Sequence, residues 1–171
     1  MAGLTRAQTY FVDDDQCCAL VGPVMVVIAR QEPSREIAQI ADACVTALER
    51  KYRGKVALMI VIKSEVSPPS EEARARIRDA MRMCERAMTV GTIVVEGHGF
   101  IATAMRSALS MMLFVVRPKF PVKVFNLIDE GAAHICSALD RDADLTAATL
   151  AQAVRELRSA YDAGTLRSLY K

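Results

Sequence analysis

Apolar residues along this chain follow two rhythms, short unbroken runs and longer stretches spaced by three and four, and the two alternate. Val56-Ala-Leu-Met-Ile-Val-Ile62 is an unbroken run, the pattern of a strand covered on both faces. A second strand, Val90 to Glu96, carries a short apolar run that stops at a carboxylate and turns on Gly97-His-Gly99. Between and after them come helical spacings. Ile37, Ile40, Ala41, Cys44, Val45 and Leu48 share one helix face, in a helix that opens at Pro33-Ser34 and should end near Tyr52-Arg-Gly54. Ser67-Pro-Pro-Ser-Glu-Glu72 carries the hydroxyl caps, early prolines and acidic first turn of another helix start. That helix is expected to bury Ala73, Ile77, Met81, Cys84 and Met88. Phe100 to Val116 is a helix apolar around nearly its whole circumference.

At the N-terminal end, Tyr10-Phe-Val12 and Cys17 to Ala29 read as a short edge strand and a longer one joined by Asp13-Asp-Asp-Gln16. Proline cannot donate to a strand ladder, so Gly22-Pro23 predicts a bulge or break in the longer strand. After Pro118 to Pro121 come a strand over Val122 to Leu127 and a short helix from Asp129 to Leu139. Asp140-Arg-Asp-Ala-Asp144 breaks the pattern, and Leu145, Leu150, Val154, Leu157 and Tyr161 resume it as an amphipathic helix. Alternation of this kind predicts an α/β fold: a mixed, mostly parallel sheet with an N-terminal β-hairpin, covered by helices, plus an extra C-terminal helix. We expect one domain over residues 1–139 and a helical extension over 140–171 packed on it.

Composition removes several function classes. Lys and Arg total 22 against 20 Asp and Glu, a net charge of +2 that gathers neither nucleic acid nor anionic lipid. No Trp is present, and 4 Tyr and 5 Phe supply few base-stacking faces. The start of the chain lacks a secretion signal, so a cytoplasmic location is expected. Arg106, Ser107 and Ser110 interrupt the longest apolar run, which is too short to span a bilayer. Five cysteines without metal-ligand spacing read as small buried hydrophobes, and neighbouring Cys17 and Cys18 should leave opposite faces of their strand. No metal or cofactor is predicted.

Strand ends and the loops after them share one edge of a parallel sheet, where such folds bind ligands and partners. That rule selects Glu96, Gly97, His98, Gly99 and Phe100 after one strand and Ser64, Ser67 and Ser70 after another. Gly97-His-Gly-Phe-Ile-Ala102 also fits a relaxed phosphate-cradling G-x-G-x-x-A pattern, although in a dinucleotide fold it would follow the first strand. A plain tight turn accounts for it better. Glu96, His98, Asp129 and His134 are the one set from which an acid–base pair or metal site could be drawn, and a capping or surface role is preferred. Arg74, Arg78 and Arg82 form a solvated stripe, with Glu72 placed to pair with Arg76 and Asp79 with Arg82.

The strand and helix order, Gly22-Pro-Val-Met-Val26, the Ser67-Pro-Pro-Ser loop before an arginine-rich helix, and Val94-Val-Glu-Gly-His-Gly-Phe100 together resemble the STAS-type fold over roughly residues 8–139. This is the fold of anti-sigma factor antagonists and related stand-alone bacterial proteins. The resemblance implies a non-enzymatic regulatory or protein-interaction module. It also implies phosphorylation at the turn into a helix, here nearest Ser64, Ser67 and Ser70, although Lys63-Ser64 and Ser67-Pro68 replace the family's Asp-Ser pair. The expected partner is a protein docked on the loop edge, with homodimerisation through Met105, Met111 and Met112 or through the C-terminal helix. The alternative is a small-ligand binder or enzyme for a nucleotide or organic anion, using the Gly97 to Phe100 turn.

Overall fold

The computed structural model describes residues 7–63, 66–139 and 145–167. Six strands lie side by side in chain order: β1 (Gln8–Val12), β2 (Gln16–Val21), β3 (Val24–Ala29), β4 (Val56–Ile62), β5 (Met88–Val95) and β6 (Val122–Phe125). Strands β1 to β3 are antiparallel neighbours, and β3 to β6 run parallel. Five helices accompany them: α1 (Ile37–Tyr52), α2 (Glu71–Cys84), α3 (Phe100–Val116), α4 (Ile128–Ala138) and α5 (Ala147–Asp162). The protein is thus α/β, with a mostly parallel mixed sheet, an antiparallel N-terminal part and a final helix.

The stretch from Cys17 to Ala29 breaks at Gly22-Pro23 as expected, but the break is a full chain reversal. The stretch is two antiparallel strands in which Val21 pairs with Val24 across a two-residue turn at Gly22-Pro23. Gly22 takes φ 55°, which glycine adopts freely at the first central position of a tight hairpin turn, and proline's fixed φ suits the second. The single longer strand expected here rests on apolar content, which does not register a chain reversal. Met88, expected on the face of α2, instead begins β5.

Alternation along the strands builds two cores. Cys17, Ala19, Ala57, Met59, Val61 and Val94 face α4 and α5. Cys18, Leu20 and Leu58 face α1 and α2, and the same side of the sheet continues with Ile62, Ile93 and Val95 under α3. Helix α4 lies close to the sheet because residue 131 is glycine: a Cβ there would stand 2.9 Å from Val94 Cγ2. Helix α5 packs beside α4, on the opposite face from α3, so the C-terminal helix does not cover the methionine-rich one. All six apolar positions predicted for α1 are buried, as are Leu145, Leu150, Val154, Leu157 and Tyr161 around α5.

Candidate functional site

Parallel pairing puts the ends of β3, β4 and β5 in register, with Ala29 opposite Ile62 and Ile62 opposite Val95. The next residue of each strand, Arg30, Lys63 and Glu96, therefore leaves the sheet at one edge. The last turn of α5 reaches the same edge. Asp162 accepts hydrogen bonds from Arg30 Nη2 at 2.9 Å and Lys63 Nζ at 2.6 Å, and Arg158 donates to Glu96. The Arg30 guanidinium also donates to the Tyr161 carbonyl at 2.9 Å and stacks 3.9 Å from the centre of the Tyr161 ring.

These charges satisfy one another. Partial burial works to raise the Asp162 pKa, but the hydrogen bonds and charges of Lys63 and Arg30 outweigh it and leave the carboxyl below its ordinary value. Burial pushes the Tyr161 phenol upward, and its Oη has no hydrogen-bond partner among the described residues. The cluster seals the strand ends and fastens α5 to them.

Arg30, Lys63, Arg158 and Asp162 were not among the residues expected from sequence. A signal existed. Arg30 and Lys63 each follow an apolar strand closely, as Glu96 does, and Arg158 and Asp162 stand four apart on one edge of α5.

The glycine turn and the serine loop leave the sheet from adjacent strands. Gly97 and Gly99 take φ 100° and 93°, and Gly99 caps α3 without a side-chain bond. Arg106 donates to the carbonyls of Val95 at 3.1 Å and Gly97 at 3.2 Å, so the turn is held from inside. His98 and Phe100 are exposed, Phe100 by 88%. Ser64 lies outside the described residues, and Ser67 is exposed.

Ser70 is the N-cap of α2, accepting from Ala73 N–H at 3.2 Å. Its own N–H and hydroxyl donate to the two oxygens of Glu32 at 2.7 and 3.0 Å, and those bonds hold the Glu32 pKa below its usual range. Glu32 in turn faces Arg76 at 3.5 Å, and Arg76 also pairs with Glu72 at 2.9 Å. Asp79 and Arg82 pair at 3.6 Å. Glu32 ties the loop after β3 to the head of α2, a contact between distant residues that no local pattern announces.

The four His and carboxylate residues do not converge on one point. Glu96 is engaged by Arg158 and Asp129 by Arg155, one helical turn apart on α5. His134 packs against the Phe125 ring with centroids 5.5 Å apart. Among the described residues, no group of three or more His, Cys, Asp or Glu is arranged to hold a metal ion, and no helix is long and apolar enough to cross a membrane.

Apolar surface is concentrated on α3. The helix buries Ala102, Met105 and Leu109 and leaves Ile101, Met111, Phe114 and Val115 in solvent, the last three by 72, 73 and 78%. Met105, expected at a subunit contact, is only 2% exposed and belongs to the core, because it shares the sheet-facing side with Ala102 and Leu109. Between α2 and α3 runs a groove of about 330 Å³, walled by Arg74 and Arg78 on one side and Met111, Met112 and Val115 on the other. Beneath α2, a separate apolar cavity of about 110 Å³ lies among Leu58, Ile60, Met81, Ile93, Met105 and Leu109. Compared with known proteins, the chain matches no family model, no curated protein and no solved structure.

Proposed function

We propose that this chain is a non-enzymatic, cytoplasmic regulatory or protein-interaction module, STAS-like in plan, which docks a protein at its strand-end edge and the adjoining surface of α3. The observation that carries this reading is the solvent-facing side of α3, where Phe100 adjoins the glycine turn and Met111, Phe114 and Val115 continue along the helix. Large apolar side chains grouped on a surface mark interaction sites far more often than scattered ones do. The neighbouring charged groups fit the same reading, since Arg30, Lys63, Glu96, Arg158 and Asp162 are paired among themselves and hold the edge in one shape.

Phosphorylation of Ser67 or Ser70 would regulate that edge. A phosphoryl group on Ser70 would remove the hydroxyl hydrogen bond to Glu32 and set about two negative charges against its carboxylate, releasing α2 from the loop after β3. A small-ligand role at the Gly97 to Phe100 turn is the competing reading.

A photo-crosslinking residue at position 100, in cells producing the full chain, tests the proposal. One identified protein should be captured, and Met111→Asp should abolish the adduct without unfolding the chain. No adduct, together with a rise in Tm on adding nucleotides or organic anions, would transfer the function to the ligand reading.

A further inference from the structure

The interaction reading leaves the chemistry of the partner open, and the groove between α2 and α3 narrows it. Arg74 and Arg78 are exposed on α2, and neither has an acidic partner among the described residues; Arg74 only donates Nε–H to the Pro69 carbonyl at 3.1 Å. Opposite them stand Met111 and Val115, both largely exposed. At the end of α3, Arg117 lies 5.3 Å from the centre of the exposed Phe114 ring. The surface is thus an apolar trough with a cationic wall. Helix α3, with 17 residues, is about 25 Å long, enough to support several turns of a second helix.

We infer that this groove receives an amphipathic helix of a partner protein, its apolar face covering Met111 and Val115 and its acidic edge meeting Arg74 and Arg78. The inference rests on the interaction reading above. Docking of a helix into an apolar groove is a common recognition mode, and methionine side chains adapt to the shape presented to them.

Two other occupants fit less well. A second copy pairing through α3 brings no carboxylate to the arginines, because Phe100 to Val116 contains no Asp or Glu and carries Arg106 instead. An anionic bilayer would have to approach Glu71, Glu72 and Asp79 on the same helix as Arg74 and Arg78, and all three are exposed. A partner helix laid along Arg74 and Arg78 leaves Glu72 and Asp79 about 100° or more away round α2 and meets only Glu71, at the head of the helix. The net charge of +2 also supplies no broad field that would draw the chain to a membrane.

The test is selection of the full chain against displayed amphipathic peptides of about 15 residues, roughly four helical turns. Their apolar face varies among Leu, Ile, Val, Met and Phe, and their flanks vary among Glu, Gln and Lys. Selected binders should carry Glu on one edge, and replacing it with Gln should weaken the Kd about two- to fivefold, less at high salt. Arg74→Glu with Arg78→Glu should reverse the preference to Lys, whereas Met111→Asp should weaken all binders. Circular dichroism establishes that both variants fold.

The inference is overturned by an absence of binders, by binders with no acidic bias, by a preference that the charge reversal leaves unchanged, by a sedimentation dimer that Met111→Asp dissolves, or by phosphatidylglycerol vesicles that displace the peptides. Capture of a protein at position 100 without acidic selection sinks this inference alone. Failure of that capture sinks the wider reading.

Discussion

Helices α3 and α5 are almost equal in length, 17 and 16 residues, and opposite in fate. Helix α3 holds one charged residue, Arg106, yet only three of its side chains are buried. Helix α5 holds Arg155, Glu156, Arg158 and Asp162, yet buries six. The difference comes from their neighbours. Helix α5 settles beside α4 on the same face of the sheet, and its charged flank meets Asp129, Glu96, Arg30 and Lys63. Helix α3 lies over β5 and β6 with little beyond the sheet to cover its outer side. Apolar content sets how much a helix could bury, and the surrounding architecture sets how much it does bury.

The contrast is sharpest in stability. Leu150 in α5 is fully buried, so Leu150→Ala should cost about 2–5 kcal/mol in urea unfolding, while Met111→Ala in α3 should stay within about 0.5 kcal/mol. Equal losses at the two sites would mean that the two helices are seated alike.

Close packing on the α5 side also predicts that Gly131→Ala destabilises by about 1–2 kcal/mol. The new Cβ meets Val94 Cγ2 at 2.9 Å, and that overpacking outweighs the better helix propensity of alanine. On the α3 side, the cavity under α2 should accept added volume. Ala80 lines it, so Ala80→Leu should raise stability by about 0.5–1 kcal/mol, read as an increase in Tm. A fall would mean that α2 is already tightly seated.

The smallest effect is a pH dependence on the α4 side. Burial, helped by the charge of Lys123, holds the His134 pKa below its ordinary 6.5. The folded state thus favours neutral imidazole. Its contribution is complete above the unfolded value and is lost as the pH falls from 6.5 through the folded pKa. His134→Gln should flatten the stability profile in that window and leave it unchanged at pH above about 7.5. Partial exposure keeps the effect small.

Much of this arrangement is readable from residue order. The unbroken run from Val56 to Ile62 marks a central strand, the three-and-four spacing of Ile37 to Leu48 marks α1, and Ser70 before Glu71-Glu72 marks the head of α2. Each of these signals is local. The turn at Gly22-Pro23 is local too, but a two-residue reversal and a strand bulge share the same glycine and proline, so its meaning depends on whether Val21 finds Val24. Glu32 beneath Ser70 and Asp162 between Arg30 and Lys63 are of another kind, since the partners stand 38, 132 and 99 residues apart.

The sequence by itself determined most of the segments that are strands and helices, which side of most of them is apolar, and that the loops after β4 and β5 leave a common edge. Periodicity and backbone chemistry act within a few residues, and that range suffices for those decisions. Only the tertiary structure decided that α5 closes the strand ends with paired charges, that Met105 is core while Met111 is surface, and that Arg74 and Arg78 border an apolar groove. The reason is physical: burial and ion pairing depend on which element arrives beside which, and the chain specifies that through contacts between distant residues rather than through the pattern of any one segment.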